Sequence, residues 1–309
     1  MRLLFLILSV SYGFVIYAQE PALPNIKSHT KTRDFTISST LNEAYFTIQS
    51  PNEELSGIFK SIKTKGVWQP SVLVSFSGRY KDLEPHLSPD GLSLYFASNR
   101  PLFKSETKLK DFDIWVVTRN ATNEPWSEPK NLGTPINTEH NEFYPAVSNS
   151  RTLYFTSDRP SAIGKDDIFM SKWNNGKYNK VKALSESINT VGYEFNAYIA
   201  PDESFIIFSG YNRKDGLGSG DLYISFKNTN GTWTQARNMG ETVNSNAMDY
   251  CPFVDRQRKT LYFTSRRSAV RPTEKLDTHQ FLKEISSYSN GLSRIYKVEV
   301  STLLQNLKD

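Results

Sequence analysis

The sequence contains one segment that recurs five times, and this repeat limits the chain to folds built from similar units. The clearest copy runs from Glu84 to Arg100 and combines an acid, an extended stretch, a Ser-Pro-Asp-Gly turn and a pair of aromatic residues. The acids that open the five copies are Asp34, Glu84, Glu142, Glu194 and Asp249. Successive acids stand 50 to 58 residues apart, a spacing that matches one four-stranded propeller blade better than a helical solenoid unit. The repeat therefore predicts an all-β propeller of four-stranded blades, with five blades favoured and six as the alternative.

Turns and strand patterns divide each unit in the same way. Pro89 presets φ, Asp90 bonds to local backbone and Gly91 accepts a positive φ, so this turn closes a hairpin between the first two strands. A third strand is predicted from Asp113 to Trp115 and at its counterparts, and a fourth near Trp68, Trp126, Tyr178 and Trp233. Sheets arranged radially bury each face against a neighbour. We therefore expect the recurring large aromatics to form the core between blades: Trp68, Trp115, Trp126 and Trp233.

The fifth unit lacks a fourth strand of its own, because only a nine-residue tail follows its third strand. The segment 19–33 precedes the first unit, and its stretch from Asn25 to Thr30 is predicted to pair with the last sheet and close the ring. The last unit also contains an insertion from Ser268 to Asn290, in which the stretch from Thr273 to Ile285 predicts a short helix. Residues 34–309 are accordingly expected to form a single propeller domain.

Residues 1–18 predict export. Arg2 is followed by an apolar run from Leu3 to Val10, and the segment ends near the small residue Ala18, which is the pattern of a secretory signal peptide. Serines and a glycine interrupt the segment, which disfavours a membrane span. No cysteine near Ala18 is placed to carry a lipid anchor. We expect a secreted or periplasmic protein that is not a lipoprotein and has no transmembrane segment after signal removal; association with the outer membrane is left open.

Charge and motif content exclude several classes of function. The net charge of +5 arises from 37 Lys and Arg against 32 Asp and Glu that are mixed along the chain, which does not indicate nucleic-acid binding. The chain contains neither a Gly-rich phosphate loop nor a Gly-x-Ser-x-Gly elbow, and its four histidines do not have zinc-ligand spacing. Cys251, the only cysteine, is expected to be buried. These features predict no cofactor other than Ca²⁺, which is considered below.

The run from Glu84 to Arg100, together with Asp-Ile-Trp at 113–115, resembles the WD40-like propeller repeat of TolB-type proteins. The resemblance covers about residues 34–300. The variant with Trp-x-x-Pro-x-x-Leu-Gly at 126–133 and Ile-Asn-Thr at 136–138 is similar to exported proteins of the Bacteroidetes. The resemblance implies a periplasmic or surface-associated β-propeller and no defined reaction. TolB has six blades and an additional N-terminal domain, whereas this chain has five detectable units.

The five opening acids are the candidate site. Because the first strand of each propeller blade lines the central channel, these acids are expected to form a ring of carboxylates at the channel mouth. Three roles are considered for such a ring. The acids are a structural feature of the repeat, or they supply oxygen ligands for Ca²⁺, or two of them act as the acid and base of glycoside cleavage, as in five-bladed glycosidases.

A second set of polar residues is predicted to be structural. Arginines follow the second strand of three units and aspartates open the third strand, so each pair is expected to meet across its hairpin. The predicted pairs are Arg100 with Asp113, Arg159 with Asp167, and Arg213 with Asp221.

The favoured function is that of an exported, non-enzymatic binding or scaffold module whose variable loops contact an envelope protein, peptidoglycan or another glycan. The alternative is a carbohydrate-active enzyme, similar to glycoside hydrolases, that uses the channel carboxylates. Geometry distinguishes the two. An enzyme needs two carboxyl groups roughly 5–9.5 Å apart beside an open, aromatic-lined pocket, whereas acids bonded to backbone amides favour a scaffold.

Overall fold

The strands form a closed ring of sheets. The computed structural model describes residues 19–38, 40–103, 105–270 and 274–308. Within these ranges the chain folds into five antiparallel blades, and the innermost strand of each blade contacts the innermost strands of the blades before and after it, with the fifth blade contacting the first. The predicted all-β propeller of five four-stranded blades is confirmed. The predicted signal peptide, residues 1–18, lies outside the described residues.

The strands follow the chain order from blade to blade. The chain enters with β1 (Glu20–Pro21) and a 3-10 helix (Pro24–Ile26). The first blade contains β2 (Thr32–Ser38), β3 (Glu43–Gln49), β4 (Ser56–Thr64), β5 (Val67–Trp68) and β6 (Val72–Leu73). The second blade contains β7 (Asp82–Leu87), β8 (Ser93–Ser98), β9 (Asp113–Thr118) and β10 (Lys130–Asn131).

The remaining three blades continue this order. The third contains β11 (Glu142–Val147), β12 (Leu153–Ser157), β13 (Asp167–Ser171), the small hairpin β14 (Trp173–Asn174) and β15 (Lys177–Tyr178), and β16 (Lys182–Ala183). The fourth contains β17 (Glu194–Ile199), β18 (Phe205–Tyr211), β19 (Gly220–Phe226) and β20 (Arg237–Asn238). The fifth contains β21 (Asp249–Asp255), β22 (Thr260–Ser265) and β23 (Arg294–Glu299).

The N-terminal segment supplies the fourth strand of the fifth blade. Strand β1 pairs antiparallel with β23, placing Glu20 opposite Lys297. The stretch from Asn25 to Thr30, which the sequence suggested as the pairing strand, instead begins within the 3-10 helix. Next to this helix, Leu23 and Ile26 are buried in the core between the first and fifth blades. An apolar segment that leaves the edge strand and enters an inter-blade core holds the two ends of the ring together.

The fourth strands begin later than the sequence suggested. They are β6, β10, β16 and β20, which lie four to five residues beyond Trp68, Trp126, Tyr178 and Trp233. Trp115 and Trp233 are buried between blades as expected. Trp68 and Trp126 are only half-buried, because they lie near the outer edge of their blades. Trp126 donates from its indole nitrogen to the Tyr45 hydroxyl, 3.2 Å away, and packs against the guanidinium of Arg119.

The Ile-Asn-Thr phrase and its variant Val-Asn-Ser follow the fourth strand of the second, third and fourth blades and bond back to the third strand. Asn137 accepts from the backbone amide of Ile114 and donates to its carbonyl, both at 2.9 Å. A side-chain amide presents a donor and an acceptor spaced like those of a peptide group, so it acts as one more strand residue. The second N–H of Asn137 is left for another partner, here Asn131 Oδ1. The equivalent pairs are Asn189 with Ile168 and Asn244 with Leu222. The phrase is therefore explained by local backbone hydrogen bonding.

Two helices accompany the last blade. Helix α1 (Thr278–Ile285) lies in the insertion between β22 and β23, and Asp277 and Gln280 form a capping box at its start. This helix was predicted from the sequence, although Thr273 lies outside the described residues. Helix α2 (Ser301–Lys308) follows the final strand. Among the described residues, neither helix nor any other has the length and apolar character needed to cross a membrane.

Candidate functional site

Each innermost strand carries a β-bulge, and the bulges determine which side chains meet at the propeller axis. The pairing of the first two strands shifts register in every blade, and one residue in each bulge has a left-handed φ between 45° and 61°. These residues are Asp34, Glu84, Tyr144, Asn196 and Cys251. The axis therefore holds two carboxylates, from the first and second blades, and three residues of other types.

The five acids of the repeat do not share one register. Glu142, Glu194 and Asp249 lie two residues before the bulge, at the start of the innermost strand. The second-blade residue at that position is Asp82, which the sequence analysis missed. The spacing to the following arginine would have identified it. Glu142, Glu194 and Asp249 precede their arginines by 17 to 19 residues and Asp82 precedes Arg100 by 18, whereas Glu84 precedes it by only 16.

The acids at the strand start are the partners of the repeated arginines. Arg159 lies 2.9 Å from Glu142, which also accepts from the backbone amide and hydroxyl of Thr138. The equivalent pairs are Arg100 with Asp82 at 2.5 Å, Arg213 with Glu194 at 2.9 Å and Arg267 with Asp249 at 2.7 Å. Burial raises the pKa of Glu142, while the bonds from Thr138 and Arg159 oppose that rise. These fully bonded carboxylates hold the linker between blades onto the next blade.

The aspartates that open the third strands have other partners than predicted. Asp167 accepts from the backbone amides of Ile163 and Gly164, and Asp221 accepts from those of Leu217 and Gly218. Asp113 instead pairs with Lys110 at 2.9 Å and accepts from Asn131. The predicted pairs of Arg100 with Asp113, Arg159 with Asp167, and Arg213 with Asp221 are therefore corrected. The aspartates shape the loop before their own strand, and the arginines reach inward to the first strand.

Arg33 connects the two axial carboxylates. Its Nε donates to Asp34 Oδ1 and its Nη2 donates to Glu84 Oε1, each at 2.8 Å. The backbone amide of Glu84 donates to Asp34 Oδ2 at 3.1 Å, which ties the second blade to the first. Asp34 and Glu84 are both almost fully buried, and each accepts a hydrogen bond from a backbone amide. Such amide bonds are those expected of a scaffold, and within the described residues the two acids do not line the open pocket expected of an enzyme. The arrangement places two carboxyl groups of neighbouring blades around one guanidinium.

Glu84 is the titratable centre of this group. Its Oε2 accepts from the backbone amide of Tyr144 at 2.7 Å, and its Oε1 also accepts from the side chain of Asn196 at 3.3 Å. Burial raises the pKa of Glu84 from 4.5 to about 7, with Arg33 lowering it and Asp34 raising it. Because one guanidinium faces two acids, Glu84 retains a proton near neutral pH.

Cys251 completes the group from the fifth blade. Its thiol donates to Asp34 Oδ1 at 2.8 Å, and burial together with the Asp34 carboxylate raises the pKa of the thiol well above its usual value. The expected burial of Cys251 is observed. A protonated, buried thiol is a weak nucleophile, so Cys251 acts here as a hydrogen-bond donor.

The two mouths of the axial channel differ. On the side of Arg33, Phe143 and Phe195 pack against a cluster formed by Tyr144, Tyr250 and Cys251. At the opposite mouth lies a cavity of about 170 Å³ lined by residues that include His86, Tyr198 and Phe253. His86 accepts from the amide of Val147 at 3.1 Å, and burial lowers its pKa to about 4, so its ring is neutral.

The proposed Ca²⁺ ring does not have the geometry that the sequence suggested. Only Asp34 and Glu84 of the five acids lie at the axis, and Arg33 already pairs with both. Within the described ranges, no group of three or more His, Cys, Asp or Glu side chains is arranged to hold a metal ion.

Comparisons with known proteins concern the fold. No family model and no curated protein sequence matches the chain. The catalytic domain of a GH62 α-L-arabinofuranosidase from Coprinopsis cinerea is similar in structure, with a TM-score of 0.55 and 8% identity over 91% of this chain and 96% of that one. A GH43 β-xylosidase/α-arabinofuranosidase from a compost metagenome gives a TM-score of 0.51 and 11% identity over 91% and 95% of the two chains. A provisionally identified TolB from Agrobacterium tumefaciens gives a TM-score of 0.45 and 14% identity over 86% of this chain and 73% of that one.

These findings correct the favoured function. Several of the similar solved structures are glycoside hydrolases, which favours the carbohydrate-active alternative and counts against the non-enzymatic binding or scaffold module. At 8–11% identity these structures establish the shared fold alone. The propeller fold that the TolB-type resemblance implied is observed, while the similarity to exported proteins of the Bacteroidetes stays a prediction. Export, location and partners also stay predictions.

Proposed function

We propose that this protein is a carbohydrate-active enzyme that cleaves glycosidic bonds with Glu84 and Asp34 as its pair of carboxyl groups. The observation that carries this proposal is the sharing of Arg33 by two axial carboxyl groups from neighbouring blades, one of which has its pKa raised to about 7. Glycoside cleavage requires two acids in unlike environments, because one must donate a proton while the other acts as a base or nucleophile. The fold shared with glycoside hydrolases supports the same class of reaction.

The roles follow from the contacts. Glu84 holds its proton near neutral pH and is the general acid, which transfers that proton to the glycosidic oxygen as the bond to the sugar breaks. Asp34, ion-paired with Arg33, is the second carboxylate and the base. It takes a proton from the water whose oxygen bonds to the anomeric carbon, while the leaving group departs with the proton from Glu84. Arg33 and the amide of Glu84 fix the orientation of Asp34.

Access to the pair requires a movement at the Arg33 mouth. Phe143 and Phe195 pack against the axial cluster on this side, and the exposed fraction of the Arg33 side chain is only 15%. The proposed reaction therefore includes displacement of these two phenylalanines by the sugar. Aromatic side chains that line a sugar site contribute apolar contact to the ring faces, so the same residues would then pack against the substrate.

The similar enzymes indicate the first substrates to test, because their names specify arabinofuranosides and xylosides. The full chain is incubated with para-nitrophenyl α-L-arabinofuranoside, para-nitrophenyl β-D-xyloside and arabinoxylan, and released chromophore and sugar are measured. We expect turnover by the wild type and a loss of about 100-fold or more in Glu84→Gln and Asp34→Asn. Glu139→Gln is the matched control, since that side chain is 93% exposed. Absence of wild-type turnover on all three substrates, or unchanged turnover in a folded Glu84→Gln variant, would overturn the proposal.

A further inference from the structure

A groove runs between the second and third blades, on the face that carries the turns between β7 and β8 and between β11 and β12. Three adjoining cavities form it. The axial cavity of about 170 Å³ shares Ser88, Pro89 and Val147 with a cavity of about 290 Å³. That second cavity shares Tyr95 and Arg151 with an outer cavity of about 720 Å³. The inter-blade groove, as these three cavities are called below, extends from the axis to the outer rim and suits an extended ligand.

The outer part of the groove has two walls from different blades. Strands β9 and β10 of the second blade contribute one wall, through residues such as Thr118 and Lys130. The hairpin of β14 and β15, which is additional to the four strands of the third blade, contributes the other wall through Trp173 and Lys177. The hairpin thus forms the wall that makes this cavity deep.

The outer cavity carries only positive formal charge. Its lining includes Lys130, Arg151, Lys177 and Lys180, and it contains no Asp or Glu. All four side chains belong to exposed residues. In the part of the chain that the structure describes, none of the four has a carboxylate at salt-bridge distance. Four such cations in one cavity attract an anion, and their positions leave them available to bind it.

Arg151 is held in place by stacking. Its guanidinium lies 4.3 Å from the centre of the Trp173 ring, and that ring packs edge-on against Tyr178 at 4.8 Å. The Tyr178 hydroxyl lies 3.3 Å from the hydroxyl of Tyr95 in the neighbouring second blade. A stacked guanidinium keeps the donors on its edge available for a planar carboxylate, and its fixed orientation reduces the entropy lost on binding.

The same groove offers neutral hydrogen-bonding groups. Thr118, Thr134 and Asn179 belong to the lining of the outer cavity. Hydroxyl and amide groups bond to sugar hydroxyls, while the cations bond to carboxylates. We infer that the inter-blade groove binds an extended acidic glycan whose carboxylates lie in the outer cavity. The two inner cavities also contain Asp90 and Asp255, so they receive the neutral part of the glycan chain. This inference concerns a site separate from Asp34 and Glu84 and does not depend on the proposed reaction.

The aromatic residues favour a glycan over single-stranded nucleic acid. Grooves that bind single-stranded nucleic acid without sequence preference use exposed aromatic rings on which the bases stack. Here Arg151 covers Trp173, and Tyr95 and Tyr178 are buried with their hydroxyls paired. The groove therefore combines positive charge with hydroxyl and amide groups and lacks a free stacking platform among its described lining residues.

Binding is tested on the full chain by titration calorimetry and by the fluorescence of the tryptophans, with oligogalacturonate as the probe. We expect binding that weakens as salt is raised, and at least about tenfold weaker binding in Arg151→Gln and in Lys177→Gln. Lys214→Gln is the control, because that lysine lies in a loop of the fourth blade outside the groove and should bind as the wild type does. Glu84→Gln should also bind normally, which separates this test from that of the proposed reaction.

Four outcomes would overturn the inference: no binding of oligogalacturonate, equal binding by all the groove variants, equal binding of uncharged oligogalactose, or tighter binding of single-stranded DNA or polyglutamate. The first shows that the protein does not bind this acidic glycan, and the second places the bound ligand outside the groove. The third shows that the cations do not contribute to recognition, and the fourth shows that the groove selects an anion other than a glycan. A thermal melt of each variant establishes that it is folded, since Arg151 and Lys177 are exposed and their loss should leave stability within about 0.5 kcal/mol.

Discussion

Arg33 Nη2 lies 2.8 Å from Glu84 Oε1, so a guanidinium of the first blade is bound to a carboxyl group of the second. The same arginine also pairs with Asp34 on its own strand. One positive charge therefore faces two acids in a buried site, and this imbalance together with burial keeps a proton on Glu84. The relationship determines both the stability of the axis and the chemistry proposed for it.

The pH dependence of stability should reveal the proton on Glu84. Its pKa is raised from 4.5 to about 7 in the folded state, so the folded protein holds a proton that the unfolded chain releases. The stabilising contribution is complete below pH 4.5, declines as pH rises, and is lost above about pH 7. In Glu84→Gln this decline should disappear. Urea denaturation of both proteins across this range measures the free energy of unfolding, and parallel curves would show that Glu84 is not the group concerned.

The reaction rate of the Cys251 thiol should report how far Phe195 limits access to the axis. The thiol is fully buried, so it should react with a thiol reagent in the native protein only after the structure opens. Phe195→Ala removes part of the cover over the cluster that contains Cys251, and we expect the reaction to become about tenfold faster or more. Phe281→Ala is the control, because that ring is exposed on α1. Equal rates in wild type and Phe195→Ala would mean that Phe195 does not control access to the axis.

The repeated arginine should be coupled to the first-strand acid. Arg159 and Glu142 are buried and 2.9 Å apart, so a double-mutant cycle to alanine should give a coupling free energy of about 1–3 kcal/mol. A parallel cycle on Arg159 and Asp167 should give less than about 0.5 kcal/mol, because Asp167 bonds to loop amides instead. Chemical denaturation supplies the free energies. If the second cycle showed the larger coupling, the assignment of partners would have to be reversed.

Closure of the ring should depend on the buried N-terminal side chains. Ile26 is fully buried between the first and fifth blades, so Ile26→Ala should reduce the free energy of unfolding by about 2–5 kcal/mol. Ile163→Ala makes the same chemical change at a residue that is 43% exposed, and its cost should stay within about 1 kcal/mol. Denaturation that gives similar costs for the two variants would contradict the role of this segment in closing the ring.

Local sequence patterns were sufficient for the units of the fold. Gly91 adopts a φ of +71° in the turn that its Ser-Pro-Asp-Gly sequence predicted, and helix α1 forms at the predicted insertion. These features depend on a few neighbouring residues, whose turn and capping chemistry can be read directly. The sequence also indicated that the innermost strands carry acids. It did not indicate Arg33, which has no counterpart in the other units.

The repeat and its turns, as written in the sequence, determined that this chain builds similar four-stranded units and favoured five of them over six. Only the tertiary structure decided which acids reach the axis. Asp82 and Glu84 lie two residues apart on one strand, and side chains at that spacing point to the same face, so alternation alone cannot distinguish them. The bulge after Leu83 and the closure of the ring separate their roles, bringing Glu84 to Arg33 and Asp34 to Cys251, 217 residues away in sequence. Such contacts depend on long-range packing, which no local pattern specifies.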